Sequence, residues 1–423
     1  MKKHILKMIW NQRRVNVWIF SELLVVVCAL WVMLDLFTVD TCVARQPEGV
    51  DISDTYWMIF GLRSPSHPGY VPDSLIHGSE GELLLDLMHR VEQMPQIEAT
   101  ALAVCGCPYG GSNWWSAMSK VGAGEGDEGT GVVRFREVSE SYFDLLRVRD
   151  SEGRPLRPEL SGRAGNLVLS SEMATKLYGT ETALGKQLAF DPKNDAPISV
   201  CGVSSPIRPS RYEAADPCIF LVRRTDEELV RWVDDKHIYH MQCLVRFKEG
   251  AGEKAPDELF RVLGDSFAAG NFYVSCLYPL SEMRDEMLKN REDEHKKRAS
   301  MVGFVLANIF FGIVGTFWLR TQSRRGEMGL RMAVGSSSGR LERLLLAEGL
   351  YLLLLTFPFL LAFVANLLVL DLLDTHRLAY TWWRFLLTVG GSYLLMTAMI
   401  AIGIWLPVRR AVRMAPAEAL RYE

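Results

Sequence analysis

His237, His240 and Cys243 are the first residues whose types and spacing suggest chemistry, since imidazole and thiolate are zinc ligands. Their neighbours argue against a metal. Tyr239, Met241, Cys243, Val245 and Phe247 alternate as one face of a strand, which predicts that His240 points away from Cys243. His67 and His77 have no companion at ligand spacing. Cys105 and Cys107 are too close in sequence to favour a bridge, and the other soluble cysteines (Cys42, Cys201, Cys218, Cys243 and Cys276) read either as disulfide partners or as buried thiols. The glycine-rich stretch from Gly106 to Gly131 does not end in the Gly-Lys-Ser/Thr that cradles phosphate, and reads as a mobile loop. No His-Glu-x-x-His, Gly-x-Ser-x-Gly or Gly-x4-Gly-Lys-Ser/Thr occurs in the 423 residues. The expectation is a chain that is not an enzyme, with no metal site and no catalytic residues.

The elements that would position any site are segregated along the chain. Hydrophobic residues make up 49% of the sequence, but they gather in one run near the N-terminus and three near the C-terminus. A net charge of −3 argues against a nucleic-acid partner. The runs at residues 15–37, 301–319, 344–370 and 385–406 are each long enough to cross a bilayer about 30 Å thick. A cleaved signal peptide is disfavoured for the first run, which holds Glu22 and Asp35 and lacks a small-x-small cleavage site. Glu22 lies too deep for lipid and is expected either in an interhelical hydrogen bond or in a transport role, while Asp35 is expected to reach the interface. Gly303, Ala307, Gly312 and Gly315 could admit close helix approach in the second run. Pro358 is expected to kink the third, and Trp382 and Trp383 suit an interfacial belt.

Residues 38–280 have an α/β texture, expected to form one or two lobes. Ser79-x-x-Glu82 has the capping-box pattern, with Leu84, Leu87, Met88 and Val91 at helical spacing and Pro95 as a stop. Strands are predicted over 97–104, 166–170 and 198–203, and a short helix over 172–178 with Ser171 as its N-cap and Gly179 as its end. Residues 281–300 carry Asp285–Lys289, Glu292–Lys296, Asp293–Lys297 and Glu294–Arg298 at i,i+4 spacing, an exposed stalk helix leading into the second span without Pro or Gly.

Charge sets the threading. Between the second and third runs, over 320–343, Arg320, Arg324, Arg325, Arg331, Arg340 and Arg343 face only Glu327 and Glu342. Residues 1–14 and the tail 407–423 are also basic. The positive-inside rule therefore puts both termini and the basic segment in the cytoplasm, a short outer loop at 371–384, and the large domain outside. The fold class expected is an α+β membrane protein, with four transmembrane helices and an extracytoplasmic α/β domain inserted between the first two.

Two motifs at these places resemble a known family. Arg325-x-Glu327-Met-Gly329-Leu-Arg331-x-Ala333-Val-Gly335 is similar to the cytoplasmic segment of MacB-like and FtsX-like ABC transporter permeases. The tail, with Pro407, Ala411, Pro416, Leu420 and Arg421, resembles that family's C-terminus. Tyr142-Phe143, Gly153-Arg154, Val168-Leu-Ser170, Leu184-Gly185-Lys186 and Cys201-Gly202-Val203 resemble the MacB-type periplasmic core. The resemblance implies an inner-membrane permease gripped through Arg325–Gly335 by a separate ABC ATPase subunit, which would bind the ATP and magnesium. It also implies a second permease copy and, for export, a periplasmic adaptor or an outer-membrane channel. The alternative is an FtsX-like signalling module that activates an envelope hydrolase or sensor. Membrane lipid is the remaining partner, through the same arginines.

Overall fold

The computed structural model describes residues 13–122, 129–157, 165–251, 254–266, 270–323 and 336–412, with Gly326, Leu330 and Val334. Two compact units emerge: Gln46–Arg291, and Met1–Arg45 together with Glu292–Glu423. In chain order the first falls between two long apolar helices.

The sheet unit contains β1 (Thr55–Leu62), β2 (Ile97–Val104), β3 (Trp114–Ser116), β4 (Ser119–Lys120), β5 (Val133–Ser139) and β6 (Leu167–Ser170). β7 (Gln187–Ala189), β8 (Ile198–Ser204), β9 (Cys218–Arg223), β10 (Gln242–Phe247) and β11 (Phe272–Pro279) follow. They join in the order β11-β1-β10-β2-β5-β9-β6-β8-β7-β4, with β3 also on β5. β5–β9 and β6–β8 are parallel, and the remaining pairs are antiparallel. A helix Glu80–Glu92 closes its N-terminus with the full capping box of Ser79 and Glu82. Its apolar face, Leu84, Leu87, Met88 and Val91, packs with Met58, Cys243 and Val245 of the sheet.

Several local expectations change. The helix Ser171–Tyr178 starts one residue earlier than predicted and is capped by Ser170, whose hydroxyl accepts from Met173 N and from Cys218 N at 3.0 Å. Part of the presumed loop Gly106–Gly131 is strand, because Trp114 packs edge-on against Phe135 at 4.8 Å. The alternation read into Tyr239–Phe247 fails at its start. Ile238–His240 is a 3-10 turn that leaves Tyr239 and His240 exposed, and all six residues of β10 are buried. From Met241 on the alternation holds: Met241, Cys243, Val245 and Phe247 pack into one core cluster and Leu244 into another, so Gln242 and Arg246 share the face of Leu244 and are buried with it. The eight cysteines are free thiols.

The helical unit comprises α1 (Arg13–Ala44), α7 (Leu280–Ser323, its last 32 residues), α8 (Ser338–Leu355), α9 (Phe357–Val369) and α10 (Trp382–Val412); α2 to α6 are Glu80–Glu92, Ser141–Leu145, Ser171–Tyr178, Asp226–Lys236 and Ala255–Ser266 of the sheet unit. Four stretches, Asn16–Ala44, Leu280–Ser323, Gly339–Val369 and Trp382–Trp405, are long and apolar enough to cross a membrane. α7 is continuous over 44 residues, about 66 Å at 1.5 Å per residue. Of the four salt bridges expected on it, Glu294–Arg298 forms at 3.9 Å, while Lys296 turns to Asp293 at 3.7 Å. Pro358 does more than bend its helix. The chain breaks at Thr356, which caps α9 through Leu360 N and donates its hydroxyl to Leu353 O at 2.6 Å.

Close helix approach is made by glycines other than those singled out in the second span. A Cβ at Gly403 would meet Val314 Cα at 3.3 Å, and one at Gly349 would meet Ile400 at 2.9 Å. Gly303 and Gly315 face open space, and a Cβ at Gly312 would meet only Glu22 Oε1, at 4.0 Å. The pattern of small residues was present, but in the wrong helix, because every apolar helix carries some.

Candidate functional site

The basic connection between α7 and α8 is the feature on which the sequence argument turns. Arg325, Glu327, Gly329, Arg331, Ala333 and Gly335 lie outside the described residues, as do Pro416, Leu420 and Arg421. Pro407 and Ala411 fall within α10, which runs on to Val412. Of the connection itself, Leu330 and Val334 are 59% and 83% exposed, one helical turn apart, with Val334 N donating to Leu330 O. Arg340 and Arg343 are exposed on the first turns of α8.

The helices that frame this connection are tied by buried charge. Arg320, one turn before the end of α7, pairs with Glu348 of α8, and the same guanidinium donates to Asn16 Oδ1 of α1 at 2.7 Å. Glu348 is 1% exposed and Asn16 3%. Arg320 is thus an internal clamp and not part of the free basic surface expected for 320–343. One turn further along α7, Thr316 donates to both oxygens of Glu22 at 3.1 and 3.2 Å. A carboxylate inside an apolar bundle must find such donors, since leaving it unpaired costs several kcal/mol.

At the other end of α1 the pattern repeats. Asp35 does not reach an interface: it is 3% exposed and makes a two-pronged pair with Arg384 of α10 at 2.8 and 2.6 Å. Arg384 is fully buried, donates further to the carbonyls of Asp374 and Leu378, and lies 5.2 Å from the Tyr380 ring. Asp40 then holds Arg377 at 2.8 Å and His295 at 3.2 Å. From Asn16 to Asp35 is 19 residues, about 28 Å along α1, so the two buried ion pairs sit one hydrocarbon thickness apart. Arg320 with Glu348 and Asp35 with Arg384 thus neutralise each other inside the bundle, while Glu22 is held by a neutral hydroxyl.

Of these groups the sequence alone marks Glu22 and Asp35 as intramembrane carboxylates, without their partners. Glu348 and Arg384 were legible as lone ions in Leu-rich and aromatic runs, but their partners lie 28 and 349 residues away.

In the sheet unit, His237, His240 and Cys243 do not converge. His237 caps α5 and faces Glu80 at 3.7 Å, whereas Cys243 is fully buried; among the described residues no group could hold a metal ion. Burial pushes the thiols of Cys107, Cys201, Cys218 and Cys243 above the ordinary range, so at neutral pH they are protonated and weakly nucleophilic. The neighbours of Tyr109 and Glu48 include each other, through a short hydrogen bond.

No family model and no curated protein matches the chain. Solved structures overlap part of it. The periplasmic region of MacB from Actinobacillus actinomycetemcomitans is 12% identical, with 58% of this chain and 97% of that one covered and a TM-score of 0.34. A domain of a Porphyromonas gingivalis protein described as a permease is 16% identical over 54% and 90% of the two chains, with a TM-score of 0.34. The extracellular domain of the noncanonic ABC-type transporter YknZ from Gram-positive bacteria is 13% identical over 52% and 100%, with a TM-score of 0.29. Overlaps of this size carry no argument about fold or function.

Proposed function

We propose that this chain is the permease subunit of an ABC transporter, coupling ATP hydrolysis by a separate ATPase chain to movement of the sheet unit. In this reading the four apolar helices cross the inner membrane, with the sheet unit outside and the connection at 324–337 facing the ATPase. The observation that carries it is α7: one uninterrupted helix that follows β11 directly, enters the apolar bundle and ends at the basic connection. A helix without a break transmits displacement along its axis. The Arg320–Glu348–Asn16 clamp supports this reading, because it fixes the end of α7 to α1 and α8 where a push would be received. Exposed Leu330, Val334, Arg340 and Arg343 suit an apolar contact ringed by cations.

Glu22 accepts from Thr316, and Arg320 and Arg384 each meet a carboxylate within the bundle, which favours mechanical transmission over a polar path through these helices. Met301, Phe304, Phe311 and Leu319 of α7 are 69 to 71% exposed. That face suits lipid or a second permease copy. The substrate is then extracted or exported from outside the bilayer.

Arg331→Glu tests the coupling. Reconstituted with its ATPase, the variant is expected to insert normally and to lose stimulation of ATP hydrolysis. Stimulation equal to wild type would sink the proposal.

A further inference from the structure

β5 carries two arginines, Arg134 and Arg136, on one face, and they meet different fates. Arg134 pairs with Asp216 at 3.3 Å. Arg136 is 9% exposed and has no carboxylate within ion-pair distance among the described residues; its Nε lacks any hydrogen-bond partner. The Phe220 ring lies 5.5 Å from its guanidinium, a favourable cation–π contact. Burying a lone cation costs more than such a contact returns, so the ring alone does not offset it.

The acidic groups around it do not supply the missing charge. Cys107 and Cys218 are held as thiols by burial. Burial likewise pushes the Tyr142 phenol up to about 12; that phenol donates to Gly106 O at 2.6 Å and accepts from the Arg136 guanidinium, a hydrogen bond that supplies no negative charge. Glu213 is engaged by Arg291 at 3.1 Å.

What Arg136 does face is a cavity of about 190 Å³, shared with Cys107, Asn113, Arg134, Arg208 and Glu213. At about 30 Å³ per water it has room for some six waters, or for a small organic acid. Its mouth is formed by the exposed residues Gly111, Ser112 and Asn113. Its wall is fixed: Gly106 N and Cys107 N both donate to Gln242 Oε1, at 2.9 and 2.8 Å. Cys105 and Tyr109 are held there at φ 54° and 62°, a left-handed conformation that side-chain-bearing residues seldom adopt. Arg208 adds positive field but gives its nitrogens to the carbonyls of Gln46, Arg211 and Glu213.

We propose that this cavity is a binding site for a carboxylate group, which the buried guanidinium of Arg136 neutralises. The Arg136 cation calls for a negative charge, and a planar carboxylate matches the guanidinium fork. The group belongs to a small organic acid or to the C-terminus of a peptide. The inference stands apart from the permease reading, since it concerns the sheet unit alone.

The test uses the full-length protein in detergent, titrated with sodium acetate at constant ionic strength and followed by calorimetry and thermal unfolding. Saturable binding with a rise in Tm is expected. It should weaken at least tenfold in Arg136→Met and, through loss of the fork, in Arg136→Lys, which serves if the Met variant does not fold. A tripeptide compared with its C-terminal amide distinguishes the two sources: tighter binding of the free-acid peptide than of acetate assigns a peptide terminus, and acetate binding without peptide binding assigns a free acid. No saturable response to acetate or peptide, an unchanged affinity in the folded variant, or an equal effect of chloride or phosphate would overturn the proposal.

Discussion

Arg384 in the helical unit and Arg136 in the sheet unit are the same side chain, similarly buried, in opposite electrostatic circumstances. Arg384 meets Asp35 with two hydrogen bonds, two backbone carbonyls and an aromatic face. Arg136 meets an aromatic face, the neutral Tyr142 hydroxyl, neutral thiols and a cavity. The first arrangement closes a structure, because all three nitrogens are engaged and the charge is already paired. The second leaves a charge for something else to satisfy. Burial alone therefore says little about what an arginine is for, and its partners decide. Arg246 falls with Arg384: 1% exposed, it pairs with Asp51 at 2.8 Å and donates to the carbonyls of Asp51 and Leu145.

The comparison breaks most visibly at Asp35. Asp35→Leu strands a fully buried guanidinium and should destabilise the helical unit by about 3–5 kcal/mol. The double variant Asp35→Leu/Arg384→Met should recover most of that loss in a thermal-unfolding series in detergent. No recovery would mean that the pair holds more than its own charges.

A smaller effect is expected at Asp51, where Glu98 still lies 3.7 Å from Arg246. Asp51→Asn should cost about 2 kcal/mol, the range of a hydrogen bond to a charged group. Burial would raise the Asp51 carboxyl, but bonds from Ser53 and the Arg246 guanidinium outweigh it and hold the pKa below the usual value. The stability Asp51 contributes is thus full above its unfolded pKa of about 3.9 and is lost as pH falls through the lower folded value. Denaturant unfolding between pH 5 and roughly pH 2 should show that acid-side loss reduced in Asp51→Asn. The same slope in both proteins would remove Asp51 as its source.

The smallest change, of opposite sign, is expected at Arg136. With no anion present, Arg136→Met removes an uncompensated charge and should leave Tm unchanged or raise it, by the equivalent of about 1 kcal/mol. A large fall in Tm would place Arg136 with Arg384 among the structural arginines.

What could be read from the chain followed how local each cause is. The capping box at Ser79 and Glu82 forms as written because both partners lie within one turn. The strand Ile97–Val104 is bounded by Pro95 and Gly106. By contrast, the cap of α4 passed from Ser171 to Ser170 because Ser170 also serves Cys218 across the sheet. β10 keeps its alternation but not a wet face, because the fold covers both sides and buries Gln242 and Arg246 as well. Val-Arg-Phe-Arg in β5 does alternate, placing Arg134 and Arg136 together, yet the sequence does not say that only one of them meets an aspartate.

Sequence by itself determined where apolar runs are long enough to span a bilayer and where cationic charge collects between them, since length, hydropathy and net charge are sums over neighbours. It also carried the motifs on which the permease reading rests. The tertiary structure decided which ions neutralise which: Arg320 with Glu348, Asp35 with Arg384, and Arg136 with a cavity. Electrostatic pairing acts over a few ångströms in space at any separation along the chain, and so leaves no periodic mark in the sequence.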